Sequence, residues 1–322
     1  MKKSRHKDER LRVGISTCLL GENVRWDGGH QLDRYLADTL GKFVEYVPVC
    51  PEVECGFPIP REPFHLEGDP ERPRLITSRT GVDHTERMER WARKRVEELE
   101  GEELCGFIFK SNSPSSGMER VKVRNEKGMP VKKGRGIFAR VFMEHFPTLP
   151  VEEDGRLHDI QLRENFVERI FTLKRWREMV KERGSRGGLV EFHTRHKMLI
   201  LSHSPQLYRE MGKLVAGGGG YALAELFDRY RDLLTEAMKL KTTAKKNSNV
   251  LEHALGYFKK VLSPDEKREM LEVIEEYRLG YVPLIVPVTL VNHYVRKYDQ
   301  PYLREQYYLN PHPLELALRN HV

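Results

Sequence analysis

LRVGISTCLLG, residues 11–21, and GFIFKSNSPSSG, residues 106–117, share one grammar: a short apolar run that ends in a loop of chemically active residues. Leu11–Thr17 reads as a strand, and Cys18 stands at its carboxyl end ahead of Gly21, Gly28 and Gly29. Gln31–Leu40 reads as a short helix. FVEYVPV, residues 43–49, reads as a second strand that ends at Cys50. A Pro-rich loop follows, with Arg74–Thr77 as a short edge strand. Asp83 or Thr85 can cap a long helix running to about Glu103. Gly106–Lys110 reads as a third strand. Strands alternating with helices predict a Rossmann-like α/β domain with a mostly parallel sheet.

Past this region the pattern changes. Asn125–Gly136 reads as a Lys-, Gly- and Pro-containing connector, followed by a helix-like stretch. From about residue 153 onward helical spacing dominates: Leu162–Glu182, Leu189–Ser202, Pro205–Val215, Tyr221–Lys239, Val250–Leu262 and Pro264–Leu279. Ser263-Pro264-Asp265-Glu266 is a capping box with Pro at the first helical position. The expected organisation is an α/β domain over residues 1–152 and an all-α domain over residues 153–322.

Composition narrows the function classes. The 322 residues are 39% hydrophobic and 32% charged, and the longest apolar stretches fall well short of a membrane span. The basic start has no apolar segment behind it, so we expect a cytoplasmic protein with no membrane partner. Four cysteines do not make a disulfide framework, and cysteines on loops suit metal binding or catalysis. Residues 1–155 hold 27 Lys and Arg against 27 Asp and Glu, whereas residues 156–322 hold 28 against 21. The net charge of +7 therefore lies wholly in the second half. A basic half beside a neutral half suits an anionic partner.

Three segments occupy the positions where a parallel sheet places function, just past the carboxyl ends of strands. They are Ser16-Thr17-Cys18-Leu19-Leu20-Gly21 with Val24-Arg25-Trp26-Asp27-Gly28-Gly29; Val49-Cys50-Pro51-Glu52; and Lys110-Ser111-Asn112-Ser113-Pro114-Ser115-Ser116-Gly117. Two cysteines at matching strand ends, beside a Glu and a Lys-Ser loop, point to a thiolate site, with zinc or an iron–sulfur cluster as the metal.

These segments resemble the motifs of the thiouracil desulfurase family, S-x-C-L-L-G-x-x-V-R-x-D-G-G, V-C-P-E and K-S-x-S-P-S-C-G. The second half resembles the YbgA-type domain at Phe192–Lys197, Gly256–Lys260 and Pro283–Tyr294. The first resemblance implies a [4Fe-4S] cluster with three protein ligands and one open iron, which accepts the sulfur of a thiocarbonyl pyrimidine while water replaces it on carbon. It implies Cys18 and Cys50 as ligands, Glu52 as general base or proton shuttle, and Ser113 as the residue that orients water or substrate. Lys110 and Ser111 would shape the pocket, and Ser16, Arg25, Asp27 and Asn112 would contact substrate. This sequence departs from the family at Ser116, where the third ligand Cys should stand. Ser116 is then an engineered exchange, a natural residue whose role Cys55 or Cys105 takes over, or the mark of a chain without a cluster.

The fused pair resembles transfer RNA 4-thiouridine desulfidases, which makes tRNA the leading partner. Lys245, Lys246, Lys259, Lys260, Arg296 and Lys297, interleaved with Tyr257, Phe258, Tyr294 and Tyr298, suit a phosphate backbone with stacking contacts. Desulfuration of a free thiopyrimidine and non-catalytic RNA binding are the alternatives. His193, His196 and His203 share a helix face but lack a metalloprotease pattern, and we expect them to be polar core or surface residues.

Overall fold

The computed structural model describes residues 11–125 and 127–320. Two compact units divide between His158 and Asp159.

The first unit is built on a four-stranded parallel sheet. Its strands are β1 (Leu11–Ser16), β2 (Val44–Val49), β5 (Gly106–Phe109) and β8 (Val151–Glu153), in the order β2-β1-β5-β8. The chain leaves β1 for β2 on one side and returns to β5 on the other. β1 is therefore a topological switch point, and ligands in open α/β sheets bind in the crevice beyond such a strand's carboxyl end. Phe107 and Phe109 of β5 pack against Phe138 and Phe142 of the helix Ile137–His145, with centroid separations of 4.6–6.2 Å. Each such aromatic pair adds about 1 kcal/mol beyond simple burial.

A second, mixed sheet lies in the same unit: β3 (Phe64–Glu67), β4 (Arg74–Thr77), β6 (Val121–Arg124) and β7 (Pro130–Gly134), in the order β4-β3-β6-β7. Arg74–Thr77 is an edge strand, as expected. The connector expected at Asn125–Gly136 is instead the turn and second strand of an antiparallel hairpin. Its alternating buried Val121 and Val123 carry the pattern, which the flanking lysines mask. The expected Gln31–Leu40 helix shrinks to a single wide turn at Tyr35–Thr39 and a tight turn at Leu40–Lys42. The boundary expected at residues 152/153 cuts through β8, whose pairing with β5 keeps it in the first unit.

The second unit is helical. Its main helices are Ile160–Arg183, Arg186–His203, Pro205–Ala216, Leu223–Lys239, Ala244–Gly256, Pro264–Arg278 and Ile285–Lys297. The capping box at Ser263 and Glu266 is formed. The helix expected over Val250–Leu262 runs instead over Ala244–Gly256, capped by Thr243, whose side chain accepts the Lys246 N–H. Met211, Tyr230, Val250, Leu251, Val291 and Tyr308 are among its fully buried core residues. No helix among the described residues is long and apolar enough to cross a membrane.

Candidate active site

Three strand ends deliver the site. After β1 the chain makes one tight turn, Thr17–Leu20, closed by Gly21 in a left-handed conformation (φ 90°) that favours glycine. This turn holds Cys18 over the sheet edge. After β2, Pro51 opens a one-turn helix, Pro51–Glu54, which puts Glu52 beside Cys50. After β5, the loop from Lys110 folds back on itself: the Gly117 N–H reaches the Ser113 carbonyl at 2.8 Å. Asn112 adopts φ 58°, a conformation Asn tolerates better than most residues. Gly136 lies against this loop so closely that a Cβ there would sit 2.4 Å from the Ser115 carbonyl, so a side chain would push the loop away.

Together these ends enclose a cavity of about 400 Å³. Of the residues named from sequence, Ser16, Cys18, Arg25, Cys50, Glu52, Lys110, Ser111, Asn112, Ser113 and Ser116 line it. Asp27 does not; it is exposed, accepts the Gly29 N–H at 3.0 Å and lies 3.5 Å from Arg25 Nε, so it braces Arg25. Cys55 is also absent from the lining. Its thiol points to the Arg87 carbonyl at 3.7 Å, and it packs against the core around Phe57. Cys105 is buried at the start of β5, with its thiol 3.9 Å from the Glu103 carbonyl. Neither substitutes for a third thiolate at the cavity.

Glu52 is the hub of the polar contacts. Its Oε1 accepts the Ser115 hydroxyl at 2.5 Å, and its Oε2 lies 3.6 Å from Cys50 Sγ and 3.7 Å from Arg61 Nη2. Arg61 is almost wholly buried and also donates to the Val24 carbonyl at 3.0 Å, which ties Glu52 to the first motif. Ser113 Oγ lies 3.0 Å from Ser115 Oγ and accepts the Ser115 and Ser116 N–H groups. The result is a hydrogen-bonded chain, Ser113–Ser115–Glu52, that starts at the cavity wall.

Sequence reasoning missed Arg61, the bonding role of Ser115, and Asp154. Asp154 lies just past β8, with its carboxylate 2.9 Å from Lys110 Nζ and 2.6 Å from the Ser111 N–H. Burial alone would raise the Asp154 pKa; the bonds from Lys110 and Ser111 outweigh it and hold the carboxyl below its ordinary value.

Burial, reinforced by the Glu52 charge, pushes the Cys18 thiol up to about 11 and the Cys50 thiol up to about 12. Two neutral thiols beside a carboxylate gain when a soft cationic centre takes them as thiolates. Among the described residues, only Glu164, Glu168 and His312 bring three His, Cys, Asp or Glu donor atoms within 4.8 Å of one another. Cys18, Cys50 and Glu52 form no such group, and what they offer a centre is donor type, two soft sulfurs lining one cavity beside a carboxylate. Ser116 completes the set with an oxygen. It is 3% exposed, its N–H goes to Ser113, and its side chain faces the cavity. The two sulfurs suit a soft iron–sulfur centre, and the Ser116 oxygen is a harder donor than the thiolate of the family motif.

The basic candidates of the helical unit divide. Lys246 Nζ binds the His203 and Lys241 carbonyls at 2.7 and 2.9 Å, and Lys297 pairs with Glu266 at 2.6 Å, so both are structural. Lys245, Lys259, Lys260 and Arg296 are exposed. Phe258 and Tyr294 are core residues, whereas Tyr257 is 42% exposed. His193, His196 and His203 are buried with separate partners (Tyr230, Arg175 and Glu168) and share no metal position.

Comparison with known proteins agrees with this division. The family model described as 2-thiouracil desulfurase matches residues 13–154, and that described as a protein of unknown function, DUF1722, matches residues 197–313. The uncharacterized protein YbgA of Escherichia coli (strain K12) is 29% identical over 153 residues, which is 47% of this chain and 90% of YbgA. The uncharacterized protein YbbK of Bacillus subtilis (strain 168) is 31% identical over 108 residues, 32% of this chain and 71% of YbbK. A solved structure, the [4Fe-4S]-dependent thiouracil desulfidase TudS, is 27% identical with a TM-score of 0.40, covering 48% of this chain and 97% of that one. With all three motif loops inside the first match and the helical unit holding the second, the chain belongs to the 2-thiouracil desulfurase family and carries a DUF1722 domain.

Proposed function

We propose that this protein is a desulfidase that hydrolyses the C=S bond of a thiolated uracil, with 4-thiouridine in tRNA as its substrate. Water supplies the oxygen that replaces sulfur on carbon, hydrosulfide leaves, and no electrons are transferred. The observation that carries the reading is the convergence of the three motif loops on one cavity that holds two thiols and a carboxylate relay.

Cys18, Cys50 and Ser116 would hold a [4Fe-4S] cluster. When bound, the cluster supplies a soft Lewis acid for the thiocarbonyl sulfur. The protein's own residues do the rest. Glu52 is the proton acceptor for the attacking water, reached through Ser115 and Ser113. Arg61 and Ser115 fix the Glu52 carboxylate from two sides. Arg25 and Asn112 line the cavity where the pyrimidine edge would sit.

The tRNA assignment is supported by the basic excess of the second half and by exposed Lys245, Lys259, Lys260 and Arg296 with Tyr257. Four free cysteines suit the reducing cytoplasm. The free-base alternative draws on the family match, which ends at residue 154.

The test uses the full chain, reconstituted anaerobically with iron and sulfide. Hydrosulfide release is measured from 4-thiouridine-containing tRNA and from free 2-thiouracil over a salt series. We expect kcat/KM to favour tRNA and the preference to decay as salt rises. Equal, salt-independent rates would establish the free base as the substrate. No release from either, in the wild type and in Ser116→Cys, would overturn the desulfidase reading.

A further inference from the structure

Three consecutive carboxylates, Glu152, Glu153 and Asp154, are 5%, 6% and 7% exposed. Strand alternation turns successive side chains to opposite faces, and buried carboxylates are costly without partners. Burying all three therefore requires partners on both faces: one loop supplies those of Glu153 and Asp154, and Arg156 is that of Glu152. Asp154 takes the beginning of the Lys110–Glu119 segment, through Lys110 Nζ and the Ser111 N–H. Glu153 takes its end, accepting the Met118 and Glu119 N–H groups at 2.6 and 3.3 Å. Glu152 holds Arg156 at 2.5 Å, and Arg156 reaches the Glu119 carboxylate at 2.7 Å.

We propose that Glu153 and Asp154 are positioning residues of the active site, clamping the two ends of the loop that carries Ser113, Ser115 and Ser116. The activity consequence rests on the desulfidase reading; the clamp does not.

Lys110 changes meaning in this light. Its ammonium has three N–H donors, and three acceptors take them: Asp154 Oδ2, Ser111 Oγ and the Ser111 carbonyl, at 2.9, 3.1 and 3.2 Å. Its backbone N–H goes to Ser16 Oγ at 2.9 Å. Lys110 is thus a staple between the ends of β1, β5 and β8, with no donor left for substrate. Both loop ends are fixed to strands, while its middle is a turn with a left-handed Asn112. The Gly136, Ile137 and Ala139 N–H groups hold the Gly117, Pro114 and Ser115 carbonyls at 2.8, 3.2 and 3.1 Å, so the clamp's own part is to fix the two ends from which Ser113 and Ser116 are set at the cavity wall. Small misplacements of such groups cost rate heavily.

The experiment uses the full chain with Glu153→Leu, Glu153→Gln, Asp154→Asn, Lys110→Met and the Lys110→Met/Asp154→Asn pair. Amide hydrogen exchange over residues 110–119 is measured beside kcat, KM and thermal unfolding. Glu153→Leu and Asp154→Asn should speed exchange in this segment and lower kcat by about tenfold or more, with KM little changed. Glu153→Gln keeps an acceptor oxygen and should restore both. The double variant should lose little beyond either of its single variants, because both remove one contact. Unchanged exchange in Glu153→Leu and Asp154→Asn would overturn the clamp. Faster exchange with unchanged kcat would overturn its positioning role. If the wild type releases no hydrosulfide, only the desulfidase reading fails, and exchange still decides the clamp. Should Asp154→Asn not fold, the Glu153 pair decides it alone.

Discussion

The two units each bury a cluster of ionisable groups, and they treat it in opposite ways. In the α/β unit, Cys18, Cys50 and Glu52 face a cavity of about 400 Å³, and the thiols are left without an ionic partner. In the helical unit, Glu164, Glu168, His203 and Arg319 largely satisfy one another. Arg319 donates to Glu164 and Glu168 at 3.1 and 2.9 Å, and to the Tyr308 carbonyl at 2.6 Å. His203 bridges the Leu240 carbonyl at 2.6 Å through Nδ1 and Glu168 at 3.1 Å through Nε2. The Glu164–Glu168–His312 convergence has metal-like spacing, but the Arg319 guanidinium already occupies both carboxylates. A site is marked by polar groups left unsatisfied toward a cavity; a structural network is marked by closure.

This contrast can be broken by mutation. Cys18→Ala or Cys50→Ala should abolish iron retention and hydrosulfide release, while the unfolding free energy of the apo chain moves by only about 1 kcal/mol. Absorbance of the reconstituted cluster and denaturant unfolding check the two halves of that statement. A large stability loss would mean that the thiols are core residues first. Glu52→Gln keeps the shape and removes the base; kcat should fall by about 10²- to 10⁴-fold with iron content unchanged. Arg319→Met should do the reverse. It leaves Glu164 and Glu168 buried without their shared cation, which costs about 3–5 kcal/mol of stability, while turnover of free 2-thiouracil at low temperature stays near wild type.

How far these roles could be read from sequence follows the same contrast. β1, β2 and β5 announced themselves because apolar runs end in Cys18, Cys50 and Lys110, and a parallel sheet places such ends side by side. β8 stayed hidden because Val151-Glu152-Glu153-Asp154 looks like solvent-facing charge, although all three carboxylates are buried and two of them bond a distant loop. The one local hint is three acids directly after the Leu149-Pro150-Val151 run, where the change to helical spacing predicts the domain boundary. Arg61 lies beyond a Pro-rich loop, and only long-range folding brings it to Glu52 and Val24. In the helical unit, lysine positions showed that the surface is basic, but not that Lys246 caps a helix end or that Lys297 is paired.

The smallest expected effect probes the closed network through pH. Burial first, and then the charge of Glu168, raise the Glu164 carboxyl from 4.5 to about 7, against the pull of Arg319. For Glu168, burial is outweighed by His203 and Arg319, which hold its carboxyl low. The two therefore have opposite signs in stability. The Glu164 contribution is present in full below about pH 4.5 and is lost as pH rises through about 7, because the unfolded chain releases that proton first. The Glu168 contribution is present above 4.5 and is lost as pH falls toward its lowered value. Buried histidines also change protonation on unfolding in this range, but they are common to both chains, so the difference between the wild type and Glu164→Gln isolates Glu164. Gln retains an acceptor for Arg319 Nε and carries no proton to release. The variant should match the wild type near pH 5 and exceed it near pH 8 by on the order of 2 kcal/mol in denaturant unfolding of the helical unit. A constant difference across that range would mean that Glu164 is ionised throughout, and that Arg319, rather than burial, governs its charge.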